Sequence, residues 1–180
     1  HLASRRQRQM CIRDRPNGAN IEDEIDEKTG LEIISLYGKN RNYGVIDDKD
    51  LENIDILIFD IQDVGVRFYT HISTLHFVME ASAKNKIPLI ILDRPNPNGH
   101  YIDGPVLNIK NKSFVGMHEV PIVYGLTIGE YATMINGEGW LKNRIKSEIY
   151  LIKLENYQRN LEYNLPILPS PNLPNSKSVN

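Results

Sequence analysis

Ile54-Asp55-Ile56-Leu57-Ile58-Phe59-Asp60-Ile61-Gln62-Asp63-Val64-Gly65-Val66-Arg67-Phe68-Tyr69-Thr70 is the stretch that decides the fold. Its first part, Ile54 to Phe59, is an apolar run that reads as a buried strand. Its second part crowds two carboxylates, an amide, a guanidinium and a phenol behind that strand. In open α/β sheets the ligand crevice lies beyond the carboxyl ends of the strands, so polar residues gathered there read as a site. The pattern recurs once: Ile87-Pro88-Leu89-Ile90-Ile91-Leu92 runs into Asp93-Arg94-Pro95-Asn96-Pro97-Asn98-Gly99. Two strands, each followed by a polar cluster, predict one shared pocket.

Between the two runs, Thr70 to Lys84 has helical periodicity. Ile72, Leu75 and Met79 fall on one face, and Phe77, Val78 and Ala81 widen it. Asn85 and Pro88 punctuate its end. Strand, helix and strand form a βαβ unit with parallel strands. Near-continuous apolar strands fit a sheet covered on both faces.

Outward from this unit, Leu31 to Tyr37 is a short strand candidate, and Leu51 to Asn53 closes a short helix. Tyr101 to Leu107 and Val120 to Gly125 are loop and extended pieces. Thr127 with Glu130 three residues later has the form of a capping box opening a helix that runs to Gly137. Ile149 to Leu154 is a further strand. Pro166, Pro169, Pro171 and Pro174 exclude regular helix from the tail.

Composition sets the class. At 180 residues the chain is about one domain long, with 41% hydrophobic and 24% charged residues, as in globular proteins. No apolar run approaches the roughly 20 residues of a membrane span. The single cysteine, Cys11, excludes an intrachain disulfide and a multi-cysteine zinc site. The net charge of −2 hides an asymmetry. Arg5, Arg6, Arg8, Arg13 and Arg15 make the first fifteen residues basic, and the remainder is correspondingly acidic, which disfavours nucleic acid as a partner. Residues 1–15 have neither an amphipathic period nor the apolar centre of a signal peptide. They resemble translated adapter sequence and are expected to be a non-native arm.

The motifs FDIQDVGVRFYTHISTL, LDRPNPNG, DGPVL, SFVGMHEVPIVYGLTIGE, MINGEGWL and LPSPNLPN follow one another in this order. Together they resemble the NamZ-type exo-β-N-acetylmuramidases, long catalogued as a bacterial domain of unknown function. The resemblance covers roughly residues 17–180. It implies a Rossmann-like, mostly parallel α/β domain followed by a smaller C-terminal domain, with the cleft between them. It also implies release of N-acetylmuramic acid from the non-reducing ends of peptidoglycan fragments, in a secreted or periplasmic setting. Two departures stand out. The family has an earlier strand-and-helix region ending in a Gly-Pro-Glu-His-Gly loop, a leading candidate for a catalytic carboxylate; residues 1–15 stand in its place. The family also continues well past LPSPNLPN. The chain therefore reads as a glycoside hydrolase fragment: residues 16–160 a partial α/β domain, residues 161–180 a Pro-rich linker.

Glycoside hydrolysis usually needs two carboxylates, one of them kept protonated. Asp63 and Glu80 are the catalytic candidates in this chain, with the absent loop supplying the partner. Asp60, Gln62, Arg67, Tyr69, His71, Asp93, Arg94, Asn96, Asn98 and His118 are the substrate-binding candidates. Arg67 or Arg94 would read the lactyl carboxylate that distinguishes muramic acid from glucosamine, since a guanidinium fork suits a carboxylate; an internal Asp–Arg pair is the plainer alternative. Asp93, Asn96 and Asn98 suit sugar hydroxyls. His71 and His118 would assist proton transfer or bond a sugar, whereas His76 and His100 read as structural. Trp140 reads as core. No spacing of His and carboxylates marks a metal site, and no cofactor is expected. A non-catalytic sugar-binding α/β module is the rival reading. A nucleotide ligand is disfavoured, because no glycine-rich loop follows a strand. A structural unit completed by a second chain is the third.

Overall fold

The computed structural model describes residues 6–8, 23–36, 44–167 and 173. Cys11, Tyr37, Asn172 and Asn175 lie outside them. Two three-stranded sheets are present among the described residues. In the first, β3 (Glu32–Ser35) lies between β1 (Arg6–Arg8), which is parallel to it, and β2 (Glu24–Ile25), which is antiparallel. Nothing in the pattern of residues 1–15 signals β1. The second sheet carries the candidate site. Its β4 (Leu57–Phe59), β5 (Leu89–Leu92) and β6 (Ile149–Ile152) are parallel, in the order β4-β5-β6.

Helix α1 (His71–Asn85) joins β4 to β5, the expected βαβ unit. It closes at Lys86, whose left-handed backbone sends its N–H back to Ser82 and Ala83. Helix α2 (Ile128–Glu138) precedes β6 and opens with the expected capping box. Thr127 Oγ1 accepts from the Glu130 N–H at 3.2 Å, and Glu130 Oε2 accepts from the Thr127 N–H at 2.9 Å. The short helix lies at Asp48–Leu51. The Leu57 N–H bonds the Pro88 carbonyl, so regular pairing of β4 begins three residues later than the apolar run.

The two helices pack against each other on one face of the second sheet. Phe59, Leu75, Met79, Leu89, Ile91, Tyr131 and Ile135 form the centre of that core. The other face departs from the expectation of a doubly covered sheet. Ile58, Tyr150 and Ile152 are more than half exposed there. Both helices described occupy the opposite side, so this row meets solvent.

Helix α1 also departs from simple amphipathicity. Ser73, Thr74, His76 and Ser82 are buried with its apolar stripe. Later segments wrap its far side: Ser73 donates to the Phe114 carbonyl at 2.6 Å, and Ser82 bonds Ile87 and Ser147 at 2.8 Å each.

Asp93, just past β5, ties the sheet to α2. Its Oδ1 accepts from the Gly129 N–H and its Oδ2 from Thr127 Oγ1, both at 2.9 Å. A carboxylate at a helix N-terminus is favoured by the helix dipole. Thr127→Ala removes both the cap and this anchor, so a loss of about 1–2 kcal/mol is expected in urea denaturation. Gly129→Ala should cost about 1–3 kcal/mol, because its Cβ would sit 2.3 Å from Leu151 and 2.9 Å from Asp93.

Candidate active site

The loops leaving β4 and β5 meet. Gln62 Nε2 donates to the Pro95 carbonyl and Asn98 Nδ2 to the Val64 carbonyl, each at 2.8 Å. The Asn96 side chain lies under Gly65, where a Cβ would come within 2.1 Å of its amide oxygen. Gly65 has φ +80°, so glycine is required there for space and for conformation. Asn96 also donates to the Leu126 carbonyl and accepts from the Asn98 N–H, both at 2.8 Å. The predicted clusters thus form one edge.

Within that edge the candidates divide. Asp93, Asn96 and Asn98 use their polar atoms to hold the protein together, and both asparagines are buried. His71 is buried, with Nδ1 donating to the Gln62 carbonyl at 2.8 Å and the Tyr69 ring edge-on at 4.4 Å. Burial pushes its imidazole down to about 4, so it is neutral near pH 7. Arg67 braces the edge from below: its Nη1 donates to the carbonyls of Pro105 and Val120 at 2.9 and 2.6 Å. Asp60 and Arg94 instead pair near the surface, with Nε and Nη2 on one Asp60 oxygen at 2.8 and 2.5 Å. The sequence alternative of an internal Asp–Arg pair is therefore Asp60–Arg94. Phe68, which the sequence reading passed over, is 60% exposed between Arg67 and Tyr69.

Asp63 is different. It is buried, its Oδ2 accepts from the Gly65 N–H at 2.8 Å and from the Tyr124 hydroxyl, and its Oδ1 is buried with no hydrogen-bond partner. Burial outweighs those bonds and raises its carboxyl to about 6. Tyr124 lies 61 residues away, beyond the reach of local spacing.

Glu80 and His118 belong to another place. Glu80 is nine residues into α1, about 13 Å along its axis from the loop end. Its Oε1 accepts from the Lys142 N–H at 2.7 Å and lies 3.2 Å from His76 Nε2. The His76 bond is the main cause holding Glu80 below the usual carboxylate range. His118 is buried between His76, Tyr131 and the stacked Trp140 ring, so its nitrogens face protein rather than a sugar. Among the described residues no group of three or more His, Cys, Asp or Glu is placed to hold a metal ion. None of their helices is long and apolar enough to cross a membrane.

These environments fix a pH response. Burial holds His71 to about 4 and His118 to about 3, below the ordinary 6.5, so the unfolded chain takes up their protons first as pH falls. Stability is lost from about pH 6.5 downward. Asp63 acts oppositely, because its folded carboxyl binds a proton near 6 whereas the unfolded one binds it near 3.8. Its contribution grows as pH drops through that window and offsets part of the histidine loss. Urea denaturation from pH 7 to pH 4 should show falling stability, and Asp63→Asn should steepen the fall below pH 6. Parallel curves for the two proteins would refute the raised Asp63 carboxyl.

Residues 5–177 match the family described as exo-beta-N-acetylmuramidase NamZ, N-terminal. The chain is 43% identical over 171 residues to the peptidoglycan beta-N-acetylmuramidase NamZ of Bacillus subtilis (strain 168), an alignment covering 92% of this chain and 40% of that protein. Two crystal structures of DUF1343 family proteins from Bacteroides fragilis each align with a TM-score of 0.79, at 48% and 39% identity. Each alignment covers 86% of this chain, and 42% and 40% of those chains respectively. The chain spans about two fifths of the length of these relatives. The parallel α/β sheet, its flanking helices and the match across nearly the whole sequence lead to one assignment: the chain belongs to the NamZ exo-β-N-acetylmuramidase family.

Proposed function

We propose that the intact protein carrying this chain is an exo-acting glycosidase that releases β-linked N-acetylmuramic acid from the non-reducing ends of peptidoglycan fragments. The observation that carries this reading is the family match over residues 5–177, joined by the relative whose name gives that activity. The chain's own residues fit the chemistry. A glycosidase needs a carboxylic acid still protonated near neutral pH, and Asp63 is raised to about 6 by burial, with one oxygen left unpartnered. The partner carboxylate lies outside the described residues on this reading, as the resemblance to a family with a Gly-Pro-Glu-His-Gly loop implies. Glu80, lowered by His76, suits that acid role less well than Asp63.

Arg94 is the better reader of the lactyl carboxylate. Its Nη1 is not used in the pair with Asp60, and the pair is partly exposed. Arg67 is committed to two backbone carbonyls. Gln62, Tyr69 and the exposed Phe68 complete the sugar-facing edge. Residues 161–180 as a linker remain part of this reading; the pairing of β1 with β3 and a family match that begins at residue 5 count against residues 1–15 as a non-native arm.

The test uses a chromogenic N-acetylmuraminide and its N-acetylglucosaminide counterpart. Asp63→Asn in the intact protein should lower kcat by about 10²–10⁴-fold with the fold retained. Arg94→Ala should raise KM for the muraminide and leave the glucosaminide unchanged. A non-catalytic sugar-binding module is the second reading, favoured by the burial of Asp63. Calorimetric binding of N-acetylmuramic acid without turnover of either substrate would establish it and overturn the first.

A further inference from the structure

A file of four polar side chains runs through the interior from α1 to α2, and the proposed reaction does not use it directly. Glu80 Oε1 lies 3.2 Å from His76 Nε2, His76 Nδ1 lies 2.9 Å from His118 Nε2, and His118 Nδ1 lies 3.0 Å from the Tyr131 hydroxyl. His76, His118 and Tyr131 are at most 2% exposed, and Glu80 alone reaches the surface. Aromatic rings close the sides: Trp140 stacks on His118 at 4.6 Å and Phe77 meets His76 edge-on at 5.7 Å. Lys112 contributes positive charge near Glu80 and His118.

The proton positions follow from the ends of the file. A carboxylate only accepts, so His76 Nε2 carries its hydrogen toward Glu80. With Nε2 turned to the carboxylate, His76 Nδ1 is placed to accept from His118 Nε2–H at 2.9 Å. Burial keeps His118 neutral, so its Nδ1 is bare in turn and takes the Tyr131 O–H. All three bonds donate in one direction, and each requires the next.

The file ends beside Asp63. The Tyr131 ring packs edge-on against Tyr124 at 4.9 Å, and the Tyr124 hydroxyl donates to Asp63. Asp63 is also among the charges acting on both tyrosines. Buried polar chains of this kind hold one arrangement when every member is satisfied, and disrupting one member disturbs the rest.

We propose that Glu80, His76 and His118 are positioning residues: the Glu80 carboxylate, acting through the two imidazoles, fixes Tyr131, and the Tyr131–Tyr124 ring contact aims the Tyr124 hydroxyl at Asp63. The catalytic consequence rests on Asp63 being the acid of the proposed glycosidase; the relay itself does not. It also reassigns Glu80, which acts through other residues rather than on a sugar.

Two measurements separate these claims. Imidazole ¹⁵N resonances of this chain at pH 7 should show both His76 and His118 as Nε2–H tautomers, and Glu80→Ala should mix the tautomers of both. A ¹³C carboxyl titration should then find the Asp63 midpoint moved up by about half a pH unit or more in Glu80→Ala and Tyr131→Phe, because Tyr124 donation is the largest of the hydrogen bonds that lower it. Glu80→Gln, which keeps an acceptor, should restore much of the wild-type tautomer pattern. Lys84→Ala, at the surface pair with Asp48, should change nothing. In the intact protein, the acidic group controlling kcat should shift in the same direction as the Asp63 midpoint. Nδ1–H tautomers in the wild type, or an unmoved Asp63 midpoint in a folded Glu80→Ala, would overturn the relay. Absence of muramidase turnover with tautomers and midpoint as expected would leave the relay standing and remove only the glycosidase assignment.

Discussion

Two parallel strands share a site only if the loops leaving them are held together. Here one amide does most of that holding. Asn96 fills the space that a side chain at residue 65 would need, reaches across to Leu126, and receives the Asn98 N–H. Asn98 then takes the Val64 carbonyl as its acceptor. Neighbouring polar groups inherit their positions from this knot: Gln62 against Pro95, Asp60 against Arg94, and Asp63 folded back onto the Gly65 N–H. Buried polar groups must be hydrogen-bonded, so a tight crossing of two backbones recruits short amides to satisfy it. The loop residues that look best suited to sugar hydroxyls are consumed by that requirement.

The elements of the second sheet were legible in sequence because their signals are local. The run through Phe59, the periodic stripe of Ile72, Leu75 and Met79, and the Thr127–Glu130 box each lie within a few residues. The structure trims the strand to Leu57–Phe59 and shifts the helix by one residue, to His71–Asn85. The meeting of the two loops was legible from their shared place at strand ends. The division of labour within them was not. Whether an asparagine faces solvent or a neighbouring carbonyl depends on partners 30 or 34 residues away. Tyr124 with Asp63, and His76 with His118, are likewise long-range pairs without a spacing rule. The open face of the second sheet was misjudged, since continuous apolarity along a strand does not say what covers it. Phe68 gave one usable signal: a large aromatic among polar loop residues has no core to enter.

Helix α1 links these regions. Its first turn sits at the loop edge through His71, its middle turns send His76 and Glu80 toward the 118 and 142 segments, and its end is fastened by Ser82. A helix bonded on several sides through polar groups is fixed in rotation and translation more tightly than one held by an apolar stripe alone. It gives the loop above it a rigid base, which suits chemistry that depends on sub-ångström placement.

The solvent-facing row of the second sheet carries a different consequence. Ile58, Ile90 and Tyr150 are neighbours in register, with Ile152 beyond them, and β4 has no partner on its outer side among the described residues. A wet aliphatic surface beside an open strand edge is a template for another chain. Among the described residues, this row and that edge are the surfaces most open to pairing with another chain. A lysine in place of Ile58, which is exposed, would disfavour such pairing without touching the interior.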